Sequence, residues 1–135
     1  MKKLLAIALV ILTSLMLFSC SKITMEKLEN KLKEENFEVT VEEDELELKY
    51  LLIYVEEQYN LEFEEDILVY LEADGAYEDS SGHYDCQFYA YEFESENDAK
   101  KMYDRLVKEV GKDFVKRDGT LVIRSTLDRA LKFYA

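Results

Sequence analysis

The stretch YDCQFYAYEF, residues 84–93, constrains the fold most. In a strand successive side chains point to opposite faces. Tyr84, Cys86 and Phe88 then share one face, and Tyr89, Tyr91 and Phe93 share the other. Neither face is polar, so covering one side of such a strand leaves an aromatic set on the other. The segment DILVYLEAD before it reads as an antiparallel partner strand, with Ile67, Val69, Leu71 and Ala73 inward and Leu68 and Tyr70 pointing away. Tyr70, Tyr89, Tyr91 and Phe93 therefore either lie under a helix at 44–59 or form an exposed binding surface. Tyrosine suits such a surface because it buries a large area at low entropy cost.

The remaining elements follow from periodicity and caps. Thr24 can cap a helix carrying Met25, Leu28 and Leu32 on one side. FEVTVEE alternates, with Phe37, Val39 and Val41 on one face of a strand. Asp44 opens a helix over 44–59 in which Leu48, Leu51, Leu52, Val55 and Tyr59 form one stripe. Leu46, Tyr50 and Ile53 form a second, which reads as a well-buried helix or a partial strand. GAYEDSSGH reads as a loop. In SENDAKKMYDRLVKEVG, Ser95 and Asp98 form a variant capping box. Ala99, Met102, Tyr103, Leu106, Val107 and Val110 make a continuous stripe, and Gly111 stands just past the end. DFVKRDGTLVIR is a hairpin turning at Asp118-Gly119. STLDRALKFY closes with Leu127, Ala130, Leu131 and Tyr134 on one side. Adjacent hairpins and separated helices predict an α+β fold: a mostly antiparallel sheet of about five strands with helices mainly on one face.

At the N-terminus, Lys2 and Lys3 precede a fifteen-residue apolar run, Leu4–Phe18. That run is shorter than the ~20 residues that span a bilayer, and it has the layout of a secretory signal. Leu17-Phe18-Ser19-Cys20 resembles the lipobox of bacterial lipoproteins, with Leu at −3, a small residue at −1 and cysteine at +1. Phe18 at −2 departs from the small or β-branched residue usual there. The resemblance implies cleavage of residues 1–19, lipidation of Cys20, a tether over 20–23 and one α+β domain over 24–135. A diacylglyceryl cysteine carries two acyl chains, enough for stable anchoring. The implied location is extracytoplasmic, at the outer face of the bacterial cytoplasmic membrane.

The lipobox, ITMEKLENKLKEENFEVTV, CQFYAYEF entering SENDAKKMYDRL, and KRDGTLVIRST together look like small lipoproteins of low-GC Gram-positive bacteria. The likeness covers most of the chain and carries no catalytic residues with it.

The charge narrows the partners. The whole chain has 17 Lys and Arg against 30 Asp and Glu. Without Lys2 and Lys3 the remaining 15 cations face those 30 acids, a net charge of −15. This opposes nucleic acid, which needs a basic footprint, and adhesion of the domain to anionic lipid. It suits a cationic peptide, a basic surface of an envelope protein or a divalent cation.

Reactive groups are few. With Cys20 committed to lipid, Cys86 has no intramolecular partner and reads as a small buried hydrophobe. His83, the only histidine, lies at the opposite strand parity and so faces away from Cys86. The acids Asp74, Glu78, Asp79 and Asp85 on a glycine-containing loop are weak candidates for Ca²⁺, without the EF-hand pattern. The run Glu42, Glu43, Asp44, Glu45 and Glu47 suits the N-terminal end of a helix. No nucleophile elbow, phosphate loop, zinc-protease or dinucleotide motif occurs. The expected role is non-catalytic binding in the cell envelope, with no cofactor. The alternatives are a small carboxylate-based hydrolase and a divalent-cation-binding module.

Overall fold

Strands with two apolar faces need two covering layers, and the chain supplies both. The computed structural model describes residues 22–135; Cys20 and segment 1–19 lie outside the described residues. The elements run α1 (Met25–Glu34), β1 (Glu38–Glu42), α2 (Glu45–Tyr59), β2 (Ile67–Asp79), β3 (Gly82–Phe93), α3 (Glu96–Val110), a 3₁₀ turn (Lys112–Phe114), β4 (Val115–Asp118), β5 (Leu121–Ser125) and α4 (Asp128–Tyr134). The strands form one sheet in the order β1-β2-β3-β5-β4, with every neighbouring pair antiparallel. This is an α+β fold.

The helices divide between the two faces rather than gathering mainly on one. On the first face, α1 and α4 bring Leu28, Leu32, Ala130, Leu131 and Tyr134 against Phe37, Leu71, Cys86, Phe88 and Ile123. On the second, α2 and α3 bring Leu48, Val55, Tyr59, Met102 and Leu106 against Ile67, Tyr91, Phe93 and Val122. The cause lies in β3 and β5, whose residues of both parities are apolar. Each fully buried aliphatic or aromatic side chain contributes about 1.5–3 kcal/mol, so neither face is stable bare.

A β-bulge corrects the reading of β2. Ile67 pairs with Phe93 while Val69 pairs with Glu92, which leaves Leu68 as the extra residue. Ile67 therefore joins the second core, whereas Leu71 and Ala73 stay in the first. Leu68 is turned out to solvent.

The β2–β3 hairpin is also longer than the sequence suggests. The stretch read as the loop GAYEDSSGH is mostly strand, with Asp79 paired to Gly82 and a two-residue turn at Ser80-Ser81. Asp79 takes the place of turn chemistry: its carboxylate accepts from Ser81 N at 2.8 Å and from the Ser81 hydroxyl at 2.5 Å. Those bonds hold Asp79 below the usual aspartate range. Arg129 of α4 braces the tip, with Nη1 3.2 Å from Asp79 Oδ2 and the guanidinium 4.5 Å from the Tyr84 ring centroid. In the β4–β5 hairpin the turn residues are Gly119-Thr120, one position later than expected, because Asp118 pairs with Leu121. Gly119 sits at φ 60°, which suits a primed turn whose twist matches its strands.

The caps form as expected. Thr24 accepts from Lys27 N, Asp44 from Leu46 N and Glu47 N, and Ser95 from Asp98 N. Asp98 does not reach back to complete a capping box. Its buried carboxylate accepts from Glu64 N at 3.0 Å and Glu65 N at 2.9 Å, pinning the α2–β2 connection onto α3.

Candidate functional site

The tyrosine face packs as a largely covered core layer. Phe93 and Tyr91 are buried, and Tyr70 and Tyr89 are half-buried beneath α2 and α3. The Tyr70 and Tyr91 rings lie 5.0 Å apart, and Phe63 adds a ring 5.2 Å from Phe93. Burial pushes the Tyr70 and Tyr91 hydroxyls above the ordinary tyrosine range, with neighbouring tyrosines adding to the effect. The Tyr70 hydroxyl donates to Glu72 Oε1 at 2.8 Å, and the Tyr89 hydroxyl donates to Gln87 Oε1 at 2.9 Å.

Cys86 is fully buried on the first face. Its sulfur lies 3.5 Å from the Ser125 hydroxyl, and burial raises its thiol above the usual range. His83 is exposed near the hairpin tip, with Nδ1 2.7 Å from Glu78 Oε1. Strand parity thus separates His83 from Cys86.

The hairpin acids do not converge. Asp74, Glu78 and Asp79 pair with Gln87, His83 and Gly82, and Asp85 pairs with Ala76, so the four are strung along the ladder. Among the described residues, no three His, Cys, Asp or Glu side chains come together to hold a metal ion.

Two carboxylates do meet elsewhere. Glu65 is raised above the ordinary glutamate range by the charge of Glu94 and then by a hydrogen bond between the two. Both are exposed on open surface. The raised pKa means that the folded chain binds the proton more tightly than the unfolded one. The associated stability is present below the unfolded pKa and lost as pH rises through the folded one. Glu94→Gln removes the repulsion. Thermal melts should show it more stable than the parent at pH 7, with the difference shrinking towards pH 3. A difference that does not change with pH would contradict this origin.

The surface that sequence reasoning missed is the outer face of α2. Leu46, Tyr50, Ile53 and Tyr54 are 52–61% exposed. They fall at i, i+4, i+7 and i+8, one stripe along the helix. The first three were expected inside, but α2 turns Leu48, Val55 and Tyr59 to the core instead. Glu57 and Glu47 sit in and beside the stripe, and that placement of charge is the sequence signal that this side faces water. Leu68, released by the bulge, stands across a cavity of about 290 Å³ from the first turn of α2.

A second recess lies towards the hairpin tip. It has a volume of about 500 Å³ and is lined by Glu35, Asn36, Ala76, Tyr77, Glu78, Phe133 and Tyr134. Among the described residues, no helix is long and apolar enough to cross a membrane. No protein-family model, curated protein or solved structure matches the chain.

Proposed function

We propose that this chain is a lipid-anchored, non-catalytic binding module of the bacterial envelope, and that the outer face of α2 docks a partner protein. The observation that carries the reading is the exposed stripe Leu46, Tyr50, Ile53 and Tyr54. Contiguous apolar surface of this kind on a polar background marks an interaction site. The helix bearing it is capped at Asp44 and closed by Asn60 in the left-handed region, so the stripe is held in shape before binding. Glu43, Glu47 and Glu57 outnumber Lys49, the one cation along the stripe, and the partner that fits has an apolar ridge bordered mainly by lysine or arginine. A second copy of this chain fits less well, because it would set the same acids and the same net charge against each other.

The anchor rests on the lipobox-like Leu17–Cys20. Ile23 N donates to Asp118 Oδ2 at 2.7 Å, which ties the expected tether to the β4–β5 turn. β2 begins at the same end of the sheet as that turn, one strand removed, and runs for 13 residues, about 40 Å at strand rise, to the hairpin tip. Anchored through Cys20, the domain would hold that tip away from the membrane.

A photo-crosslinking residue at position 50, installed in cells, should trap one envelope protein. Leu46→Asp with Ile53→Asp should abolish the trapping while leaving the melting temperature unchanged, since both side chains are exposed. Trapping of the chain's own copy, or capture that survives both aspartates, would sink the docking reading. Mass spectrometry of the purified protein tests the anchor separately. Two acyl chains on an N-terminal Cys20 are expected, and retention of Met1–Ser19 would refute it.

A further inference from the structure

We propose that the recess beside the β2–β3 tip binds a basic peptide, added as an extended strand to the open edge of β2 with a lysine or arginine side chain seated among aromatic rings. This site is separate from the α2 face, and its ligand is recognised by different chemistry.

The edge comes first. β1 pairs with β2 only from Tyr70 to Asp74, whereas β2 continues to Asp79. Among the described residues, no strand pairs with the other side of Gly75–Asp79. The chain cannot extend β1 along it, because Asn36 takes a left-handed φ of 65° and turns into α1. An unpaired edge offers backbone donors and acceptors in the register that strand addition uses. The recess touches Ala76 and Glu78 and also Tyr77. Consecutive residues of both parities line it, as a cavity running along the strand's edge would require.

The chemistry of the recess then selects a cation. Tyr77, Phe133 and Tyr134 make an edge-to-face cluster, with centroid separations of 6.1, 6.2 and 5.0 Å. Phe133 is about half exposed in it although it is a large aromatic. Ring faces of this kind attract ammonium and guanidinium groups. The molecule already uses one that way: Lys31 Nζ lies 5.3 Å from the Phe133 centroid and donates to the Phe133 carbonyl at 2.6 Å. Glu35 and Glu78 flank the rings, with the His83 ring on Glu78, so two carboxylates border the recess beside Lys31. The surrounding net charge of −15 steers a basic segment towards it.

The position supports access. The edge lies at the end of the hairpin opposite the β4–β5 turn where Ile23 is tied. A geometry of backbone pairing plus one side-chain pocket gives affinity from the ladder and specificity from the pocket.

The test uses fluorescence anisotropy with the full folded domain and a blocked, labelled heptapeptide of alternating threonine and lysine. Saturable binding is expected. Glu35→Gln with Glu78→Gln, or Phe133→Ala, should each weaken it about tenfold. The same peptide with alternate backbone nitrogens methylated should lose binding, because the strand bonds cannot form. Leu46→Asp with Ile53→Asp should leave it unchanged, which separates this site from the α2 face. The proposal is overturned if a glutamate-for-lysine peptide binds equally well, if methylation has no effect, or if the Phe133 and glutamate variants bind like the parent. It is also overturned if sedimentation shows the edge occupied by a second copy.

Discussion

Replacing Asp98 with alanine should cost about 3 kcal/mol of folding stability, although Asp98 touches no candidate ligand surface. Its carboxylate is completely buried and accepts the backbone N–H groups of Glu64 and Glu65. Alanine leaves both donors without their protein partner at a contact that is partly buried. Lys101 adds to the arrangement, with Nζ 3.7 Å from the carboxylate and donating to the Glu62 carbonyl at 3.1 Å. The tie matters because residues 60–66 link α2, which carries the exposed stripe, to the bulged start of β2. Asp98→Asn keeps one acceptor oxygen but turns an amide donor towards the second N–H, so it should lose somewhat less. Urea denaturation measures the loss as a lower midpoint at unchanged slope. Amide exchange should show Glu64 and Glu65 losing protection first. A loss well under 1 kcal/mol with those two amides still protected would show that the connection is held by other means.

The residues that were read correctly from the sequence are those governed by local rules. Caps at Thr24, Asp44 and Ser95 act within three or four residues, and so does the stop at Gly111. The stripe from Ala99 to Val110 fixes its own helix and buried side. Local rules give out where a partner strand decides. Leu68 and Ile67 obey a bulge set by the register against Glu92 and Phe93, and nothing in ILVYL announces it. The tip 75–83 looks like a loop because it holds two glycines and two serines, yet pairing of residues 75–79 to residues 82–86 keeps it extended. The role of Asp98 was half legible. Its position three residues after Ser95 suggested a local bond, while its partners lie more than thirty residues back.

The candidate surfaces divide in the same way. The aromatic set Tyr70, Tyr89, Tyr91 and Phe93 and the α2 stripe competed for the same interior, and periodicity alone does not rank them. Burial went to the aromatics because β3 is the middle strand of five and β5 pairs with it along Phe88–Glu92, the stretch that carries Tyr89 and Tyr91. α2 has apolar residues on two sides and lies on the outside of that layer, so one side remains in water. The recess at the tip was not legible, since Glu35, Tyr77 and Phe133 come from three distant segments.

The largest single loss expected is from Phe88→Ala, about 4 kcal/mol. Phe88 is fully buried on the first face of the central strand. Its ring meets Phe37 at 5.8 Å and Tyr134 at 5.7 Å, both edge-to-face, and those two rings meet each other at 5.3 Å. Phe37 in turn lies so close over Gly75 that a Cβ there would come within 2.5–2.9 Å of its ring. The triad therefore joins the α1–β1 corner, β3 and α4, with β2 reached through Phe37 over Gly75, and the packing around Gly75 leaves little room to collapse into the space vacated. Phe88→Leu keeps most of the volume and should cost only about 1.5 kcal/mol. Because Tyr134 also lines the recess, Phe88→Leu should weaken binding of the threonine–lysine peptide while leaving crosslinking at position 50 unchanged. Equal damage to both surfaces from this milder substitution would mean that the two cores respond as one body. Loss at the recess alone would show the first-face core positioning the rings that receive the cation.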